Sequence, residues 1–359
     1  MPDPLASLRK RLQGIPAGIR LAIMMAALVL VPVMPFFGDP WIRVFALVGI
    51  YVILGLGLNV VVGFAGLLDL GFVAFFAAGA YGVGVLSSPS SPFDLTLNFW
   101  LVLPIAVLIG ATLGLLLGLP VLPLRGDYLA IVTLGFGEII RLFLTNREDI
   151  TNGSQGISAI GTPTLPFKEF DTSTLTSWYY LIVVAAVLVA FVTARMRDSR
   201  IGRAWEAIRE DEDVAAAMGI DTTKYKLMAF AMGAAIGAFG GAFYASFFNF
   251  INPSAFTLDV SVRVLALVII GGMGSTPGVV FGAFILIGVP DILQFEDTSR
   301  FLGRFGLENL GRDIADKRFI IFGALLVAIM VLRPSGIFPS KRRQREFAAA
   351  HQDPPGVPA

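Results

Sequence analysis

The chain has 359 residues, 56% of them hydrophobic and 15% charged, with a formal net charge of +1. Apolar runs of about 20 residues, the length a helix needs to cross a bilayer, recur along it, so it reads as a polytopic membrane protein, and the near-neutral charge gives no support to nucleic-acid binding. There is no Cys, the one His is His351 in a Pro-rich tail, and no Lys directly follows a Gly; structural zinc, thiol chemistry, Ser–His triads within the fold and a Walker A loop are thereby excluded, and any ATP must be handled by a partner.

In chain order, Arg9, Lys10, Arg11 and Arg20 precede an apolar run from Leu21 to Phe37. That run is long for a signal peptide, lacks a small-x-small cleavage site and ends among Pro32 and Pro35, so it is expected to be retained as a first span, after a cytoplasmic segment 1–17. A second span is expected from about Trp41 to Val62. It leads into GFAGLLDLGF, Gly63–Phe72, where three glycines bracket Asp69, and then into a third span ending near Leu86. Glycine at this density permits either close helix packing or a broken backbone. The polar linker SSPSSPFDLTLN brings the chain out, span 4 covers Phe99 to Val121, and PLRGDY turns it into span 5, Tyr128–Leu144.

Span 5 contains Thr133, Gly135, Gly137, Glu138 and Arg141, with Glu138 and Arg141 three apart on one helical face. A long polar segment reaching about Ser177 reads as a functional or interacting loop. Span 6 is expected over Trp178–Thr193. The longest charged island comes next, with 14 charged side chains between Arg195 and Lys226. A single charge at the bilayer centre costs about 2.5–3.5 kcal/mol, so the island stays outside the hydrocarbon. Within it, Ile201, Trp205 and Ile208 recur at helical spacing and define an amphipathic helix. A shorter helix over Val214–Met218 is expected to follow, capped by Glu212 or Asp213 and ended by Gly219. Two short structured helices beside a membrane suggest docking.

Spans 7 (Leu227–Phe248), 8 (Val260–Gly274) and 9 (Val279–Ile292), a charged loop from Phe295 to Lys317 and span 10 (Arg318–Leu332) complete a permease domain over 18–335, with its island at about 195–226. A basic, Pro-rich tail, 336–359, follows. The fold class expected is all-α, with about ten transmembrane helices. The chain ahead of Leu21, the turn at Arg125, the island and the chain from Arg333 onward hold 17 of the 27 Lys and Arg, which puts the island and both termini in the cytoplasm. The turns at Gly63–Gly71 and Gly271–Gly278 share glycine-spaced geometry and orientation, as the halves of an internal repeat would.

Polar groups at membrane depth are few: Asn59, Asp69, Thr133, Glu138, Arg141, Arg263 and Asp291. With the glycines beside them, Asn59, Asp69, Thr133, Gly135, Gly137 and Glu138 are the candidates for a substrate path. Each also has a structural reading. Asp69 fits a cap, Glu138 and Arg141 a clamp, Arg263 a pair with Asp259, and Asn59 and Thr133 interhelical hydrogen bonding. An ion-coupled secondary transporter predicts unpaired acidic groups near the midplane, for which Asp69 alone is thin support. An ATP-driven permease predicts little membrane chemistry and a formed cytoplasmic helix.

Six blocks, GFAGLLDLGFVAFFAAGAY, YLAIVTLGFGEIIRL, TNGSQGI, SRIGRAWEAIREDEDVAAAMGI, KYKLMAFAMGAAIGAFGGAFYA and GGMGSTPGVVFGA, occur in that order. Together they resemble the permease subunits of branched-chain amino acid ABC importers, over about Asn59 to Ser335. The resemblance implies a type II ABC importer-like permease with a cytoplasmic coupling helix. It implies a homologous second permease subunit, two cytoplasmic ATPases and a periplasmic binding protein as partners, and the bacterial inner membrane as the location. It implies no cofactor on this chain, ATP and Mg being held by the ATPases. The family's coupling frame, Glu-Ala-Ala-x-x-x-Gly, matches Asp213–Gly219 with Asp for Glu and Val for the first Ala. On that frame Val214, Ala217, Met218 and Gly219 are expected to seat on an ATPase, with Arg209, Glu210, Asp211 and Asp213 at the rim. Hydrophobic amino acids are the expected cargo; urea or short amides, carried by sister members, are the alternative.

Overall fold

The computed structural model describes residues 38–124, 126–165, 168–169 and 175–293, together with 323 and 327. The expected first span, the charged loop 295–317, the tenth span apart from residues 323 and 327, and both terminal segments lie outside the described residues. Inside them the architecture is helical as expected: six helices are long and apolar enough to cross a membrane, and two shorter apolar helices accompany them.

Helix α1 (Asp39–Leu58) runs on as a π-helix, Asn59–Phe64; α2 is Val73–Ser87, α3 is Phe99–Val121 and α4 is Asp127–Asn146. After a short α5 (Glu148–Thr151) come α6 (Leu175–Arg197), α7 (Arg200–Glu210), α8 (Glu212–Ala217) and α9 (Thr222–Phe248). Then follow α10 (Leu258–Gly271) and α11 (Thr276–Ala283), the latter passing through a second π-helical stretch, Phe284–Gly288, into α12 (Val289–Leu293). The second to ninth expected spans fall on α1, α2, α3, α4, α6, α9, α10 and the α11–α12 run.

The bundle is built around α9, which packs along α3, α2 and α1. Its run GAAIGAFGGAF explains why. A Cβ added to Gly79 of α2 would lie 1.9 Å from the Ala238 carbonyl oxygen, and one added to Gly241 of α9 would lie 2.1 Å from that of Phe76. The two backbones are therefore in direct contact, as small residues allow in membranes. Large apolar side chains point outward instead from α3 (Leu108, Leu119) and α6 (Val184, Phe191), giving a surface suited to acyl chains.

At one end of α9 the long polar segment folds back onto the bundle. Strand β1 (Ile157–Ser158) pairs antiparallel with β4 (Phe250–Ile251), Ile157 opposite Ile251 and Ser158 opposite Phe250, while β2 (Thr164–Leu165) and β3 (Lys168–Glu169) form a second two-stranded antiparallel sheet. Ser90 donates to the Ser158 carbonyl at 2.7 Å and Ser246 to that of Gly161 at 2.8 Å. In the same segment Arg147 pairs with Asp149, and that hydrogen bond holds the Asp149 carboxyl below the usual carboxylate range. The other end of α9 carries the charged island.

Candidate functional site

The island folds into two helices, as the periodicity predicts. Ser199 caps α7 by accepting from the Gly202 N–H at 3.3 Å. The apolar stripe of α7 faces the bundle: Trp205 and Ile208 are buried, and the Trp205 indole N–H donates to the Tyr225 carbonyl at 2.7 Å. The cap of α8 differs from expectation. Asp211 supplies it, one carboxylate oxygen accepting from the N–H groups of Asp213 at 2.9 Å and Val214 at 3.0 Å. Asp211 is extended and immediately precedes the helix, which is the geometry a cap needs, whereas Glu212 and Asp213 are already helical.

Glu212 turns inward and meets the Lys226 amine at 2.5 Å. Lys226 is itself buried and also donates to the Leu122 carbonyl at 3.4 Å, beyond the end of α3. At its other end α8 closes in a Schellman arrangement around Gly219, at φ +85°, with the Ile220 N–H bonded to Ala215 and the Gly219 N–H to Ala216. Only Ala215 of this helix is buried. Val214 and Met218 are 58% and 79% exposed, Ala217 lies beside them in the open, and Glu210 and Asp213 are exposed around the patch. Arg209, half-buried beside that patch, donates from its guanidinium to the Gly63 carbonyl at the bundle end.

The path candidates divide into two groups. Asn59 is buried, and its side-chain oxygen accepts from the Gly274 N–H at 2.8 Å, joining the end of α1 to the α10–α11 turn. Asp69 is buried within the non-helical stretch before α2 and accepts from the Gly71 N–H at 2.8 Å. Beside it, the Thr133 hydroxyl accepts from Leu70 N–H at 3.0 Å, and the Ser261 hydroxyl accepts from Val73 N–H at 3.0 Å. Side chains thus satisfy the backbone that leaves helical geometry, the condition for irregular chain inside a membrane protein. Gly137 serves the same junction, since a Cβ there would sit 3.3 Å from Gly71 Cα. Asn59, Asp69, Thr133 and Gly137 therefore hold the break together.

Gly135 and Glu138 lie elsewhere. Nothing is within 4 Å of a Cβ built on Gly135, and Glu138 is exposed on the outer face of α4, where it pairs with Arg141. Ile131 and Ile139, 65% and 63% exposed, flank that face. Glu138 is about 16 Å along a helix rising 1.5 Å per residue, close to mid-length. An ion pair at that depth is costly against lipid, so this face suits a second protein surface or water. Arg263 pairs with Asp259, the partner its i, i+4 spacing suggests, and shares with Tyr51 and Asp291 the lining of a small cavity between α1, α10 and α12.

Nothing in the sequence singles out Lys226, Ser261 or Gly274, and Glu212 reads there as a cap where the structure pairs it with Lys226. A Lys at the start of an apolar helix reads as a snorkelling side chain, and nothing local announces the distant carbonyl and carboxylate it meets.

Comparison with known proteins identifies the relatives of this arrangement. The family described as branched-chain amino acid transport system, permease component, matches residues 41–332. The high-affinity branched-chain amino acid transport system permease protein LivM of Salmonella typhimurium is 40% identical over 343 residues, covering 89% of this chain and 75% of that protein, and LivM of Escherichia coli K12 gives the same figures. A probable LivM of Methanocaldococcus jannaschii is 27% identical over 327 residues, covering 82% and 91%. LivH of Salmonella typhimurium, also a permease protein of such a system, is 28% identical over 204 residues, covering 55% and 60%. No solved structure matches the chain.

Proposed function

The chain belongs to the family of branched-chain amino acid transport permease components, and on that premise we propose that it is one membrane subunit of an ATP-driven importer of branched-chain or other hydrophobic neutral amino acids. In this reading it spans the membrane ten times with both termini cytoplasmic. It pairs with a homologous second permease subunit, receives cargo from an extracytoplasmic binding protein, and is driven by two cytoplasmic ATPases that hold ATP and Mg.

The observation that carries the coupling half of the proposal is the state of α8. Val214, Ala217 and Met218 form an exposed apolar patch on a helix capped by Asp211, closed at Gly219 and pinned through Glu212 to Lys226. A surface helix with no role would not need so many restraints, whereas a preorganised patch loses little entropy on docking. Glu210 and Asp213 are the rim contacts in this reading, and Asp211 acts through the cap. Closure of the ATPase pair then displaces α8 and, through α6 and α9, the bundle.

The path half rests on α4. Gly135 leaves a dent, and Glu138 with Arg141 supplies paired charge, on a face that lipid would disfavour. An amino acid brings a zwitterionic head and an apolar side chain, and this face offers both kinds of surface. The test is Met218→Asp in the reconstituted importer. It is expected to reduce ATPase co-purification with this chain severalfold or more, because a charge in the centre of an apolar contact is left without a partner; undiminished co-purification with normal leucine uptake would refute the docking role. Competition of labelled leucine uptake by isoleucine but not by urea is expected on the cargo side.

A further inference from the structure

We propose that Arg209 is a positioning residue that latches the coupling loop to two interlocked glycine turns, so that motion of α8 reaches the break between α1 and α2 directly and not through α6 and α9 alone. The proposal rests on the coupling role of α8 given above. Arg209 lies in the last turn of α7, two residues before the cap of α8, and its guanidinium donates to the Gly63 carbonyl. That carbonyl sits where the helix fails: the Leu67 N–H that an α-helix would give to Gly63 goes to Val61 instead, at 3.0 Å. The arginine stem lies flat on Gly66, at φ +73°, where an added Cβ would come within 2.6 Å of Arg209 Cγ.

The second turn closes the junction. A Cβ on Gly274, at φ +79°, would lie 3.4 Å from the Gly63 carbonyl oxygen and 3.7 Å from the Arg209 Nη1, and the Gly274 N–H is held by Asn59 at 2.8 Å. One arginine side chain therefore meets the π-helical continuation of α1 through its guanidinium, the irregular stretch at Gly66 through its stem, and the α10–α11 turn beside Nη1. Asn59 already joins the first to the third, so pulling on Arg209 moves both turns together. Those turns lead into α2 and α11, whereas the Glu212–Lys226 pair ties α8 to α9 and α6 only leads into the island. The contact is specific to arginine in reach, because a lysine ammonium on a shorter stem presents a point charge and not a planar fork.

The experiment uses the complete importer in proteoliposomes, reading ATP hydrolysis, leucine uptake and ATPase co-purification for Arg209→Gln and Arg209→Lys beside Met218→Asp. Arg209→Gln is expected to co-purify with the ATPases as wild type does and to hydrolyse ATP, while leucine moved per ATP falls about tenfold, the scale of one charge-assisted hydrogen bond; Arg209→Lys should recover part of that loss. Because the natural chain has no Cys, a Gly66→Cys/Arg209→Cys pair adds a readout that a stability defect would not reproduce. The Cβ of residue 66 would stand 3.1 Å from that of residue 209, slightly inside the usual disulfide spacing of about 3.5–4.5 Å. The strain of a side chain at the φ of +73° there is common to the reduced and oxidised forms, so it cancels between them. Oxidation of that pair should raise uptake per ATP above its reduced form. Wild-type uptake per ATP in Arg209→Gln, joint loss of assembly and hydrolysis, or oxidation that leaves uptake unchanged would each overturn the latch. Failure of Met218→Asp to disturb co-purification would instead remove the docking reading and leave the Arg209 result to stand on uptake alone.

Discussion

At the scale of single residues, the Lys226 amine ties α9 to both α8 and the end of α3. It is 4% exposed and holds Glu212 at 2.5 Å. Removing one member of a buried pair costs about 3–5 kcal/mol, since the other is left without compensation. Lys226→Ala should therefore lower the thermal midpoint of the solubilised protein and loosen α8, whereas Glu212→Gln, which keeps a hydrogen-bonding oxygen for the amine, should be milder; protease sensitivity between 210 and 220 reads both. Equal midpoints and equal protease sensitivity in Lys226→Ala and wild type would show that the pair contributes nothing. Gly219 makes a different prediction. Its φ of +85° is a left-handed conformation that costs a side-chain-bearing residue about 1–2 kcal/mol, yet an added Cβ meets nothing within 4 Å. Gly219→Leu should leave the bundle folded and strike ATPase coupling, seen as normal expression with reduced uptake per ATP. These two residues also mark how far the sequence reaches. Gly219 is readable because an αL terminator is a local requirement, while the Lys226 pairing depends on a turn of chain that only the fold brings near.

At the scale of elements, glycine has two uses that the sequence raises together and the structure separates. Gly79 and Gly241 let α2 and α9 touch backbone to backbone, and the stretch Gly63–Gly71 breaks the helix, with Asp69, Thr133 and Ser261 supplying the hydrogen bonds. Both outcomes are open to a glycine-rich membrane segment, and the partner helix decides which one occurs. Gly71→Ala would drive a methyl to 2.0 Å from the Thr133 carbonyl oxygen, so the loop or α4 has to move, while Gly135→Ala fills open space. The first should abolish folded expression or uptake and the second should keep monodisperse protein, a contrast that size-exclusion chromatography of the two variants checks directly; monodisperse, active Gly71→Ala would contradict the packing described. The two helices of the island were legible from Ile201, Trp205, Ile208 and Gly219. The inward turn of Arg209 was not, because its acceptor lies 146 residues away in the chain.

For the whole molecule, the apolar runs foretell the described bundle, and the ordered set of six blocks foretells the family that residues 41–332 match. What the runs leave out is how α9 gathers α1, α2 and α3 around itself and brings both glycine turns under α7. The result is an exposed apolar patch on α8, inward ties through Arg209 and Lys226, and the Glu138–Arg141 ion pair on an otherwise apolar outer face of α4. The most direct test of the central claim is accumulation of labelled leucine in proteoliposomes that hold this chain, its homologous permease partner and the two ATPases, with the binding protein outside. Accumulation above the external concentration that requires enclosed ATP and survives collapse of the ion gradients is the predicted result. Accumulation that follows an ion gradient without ATP, or transport of urea in place of leucine, would contradict it.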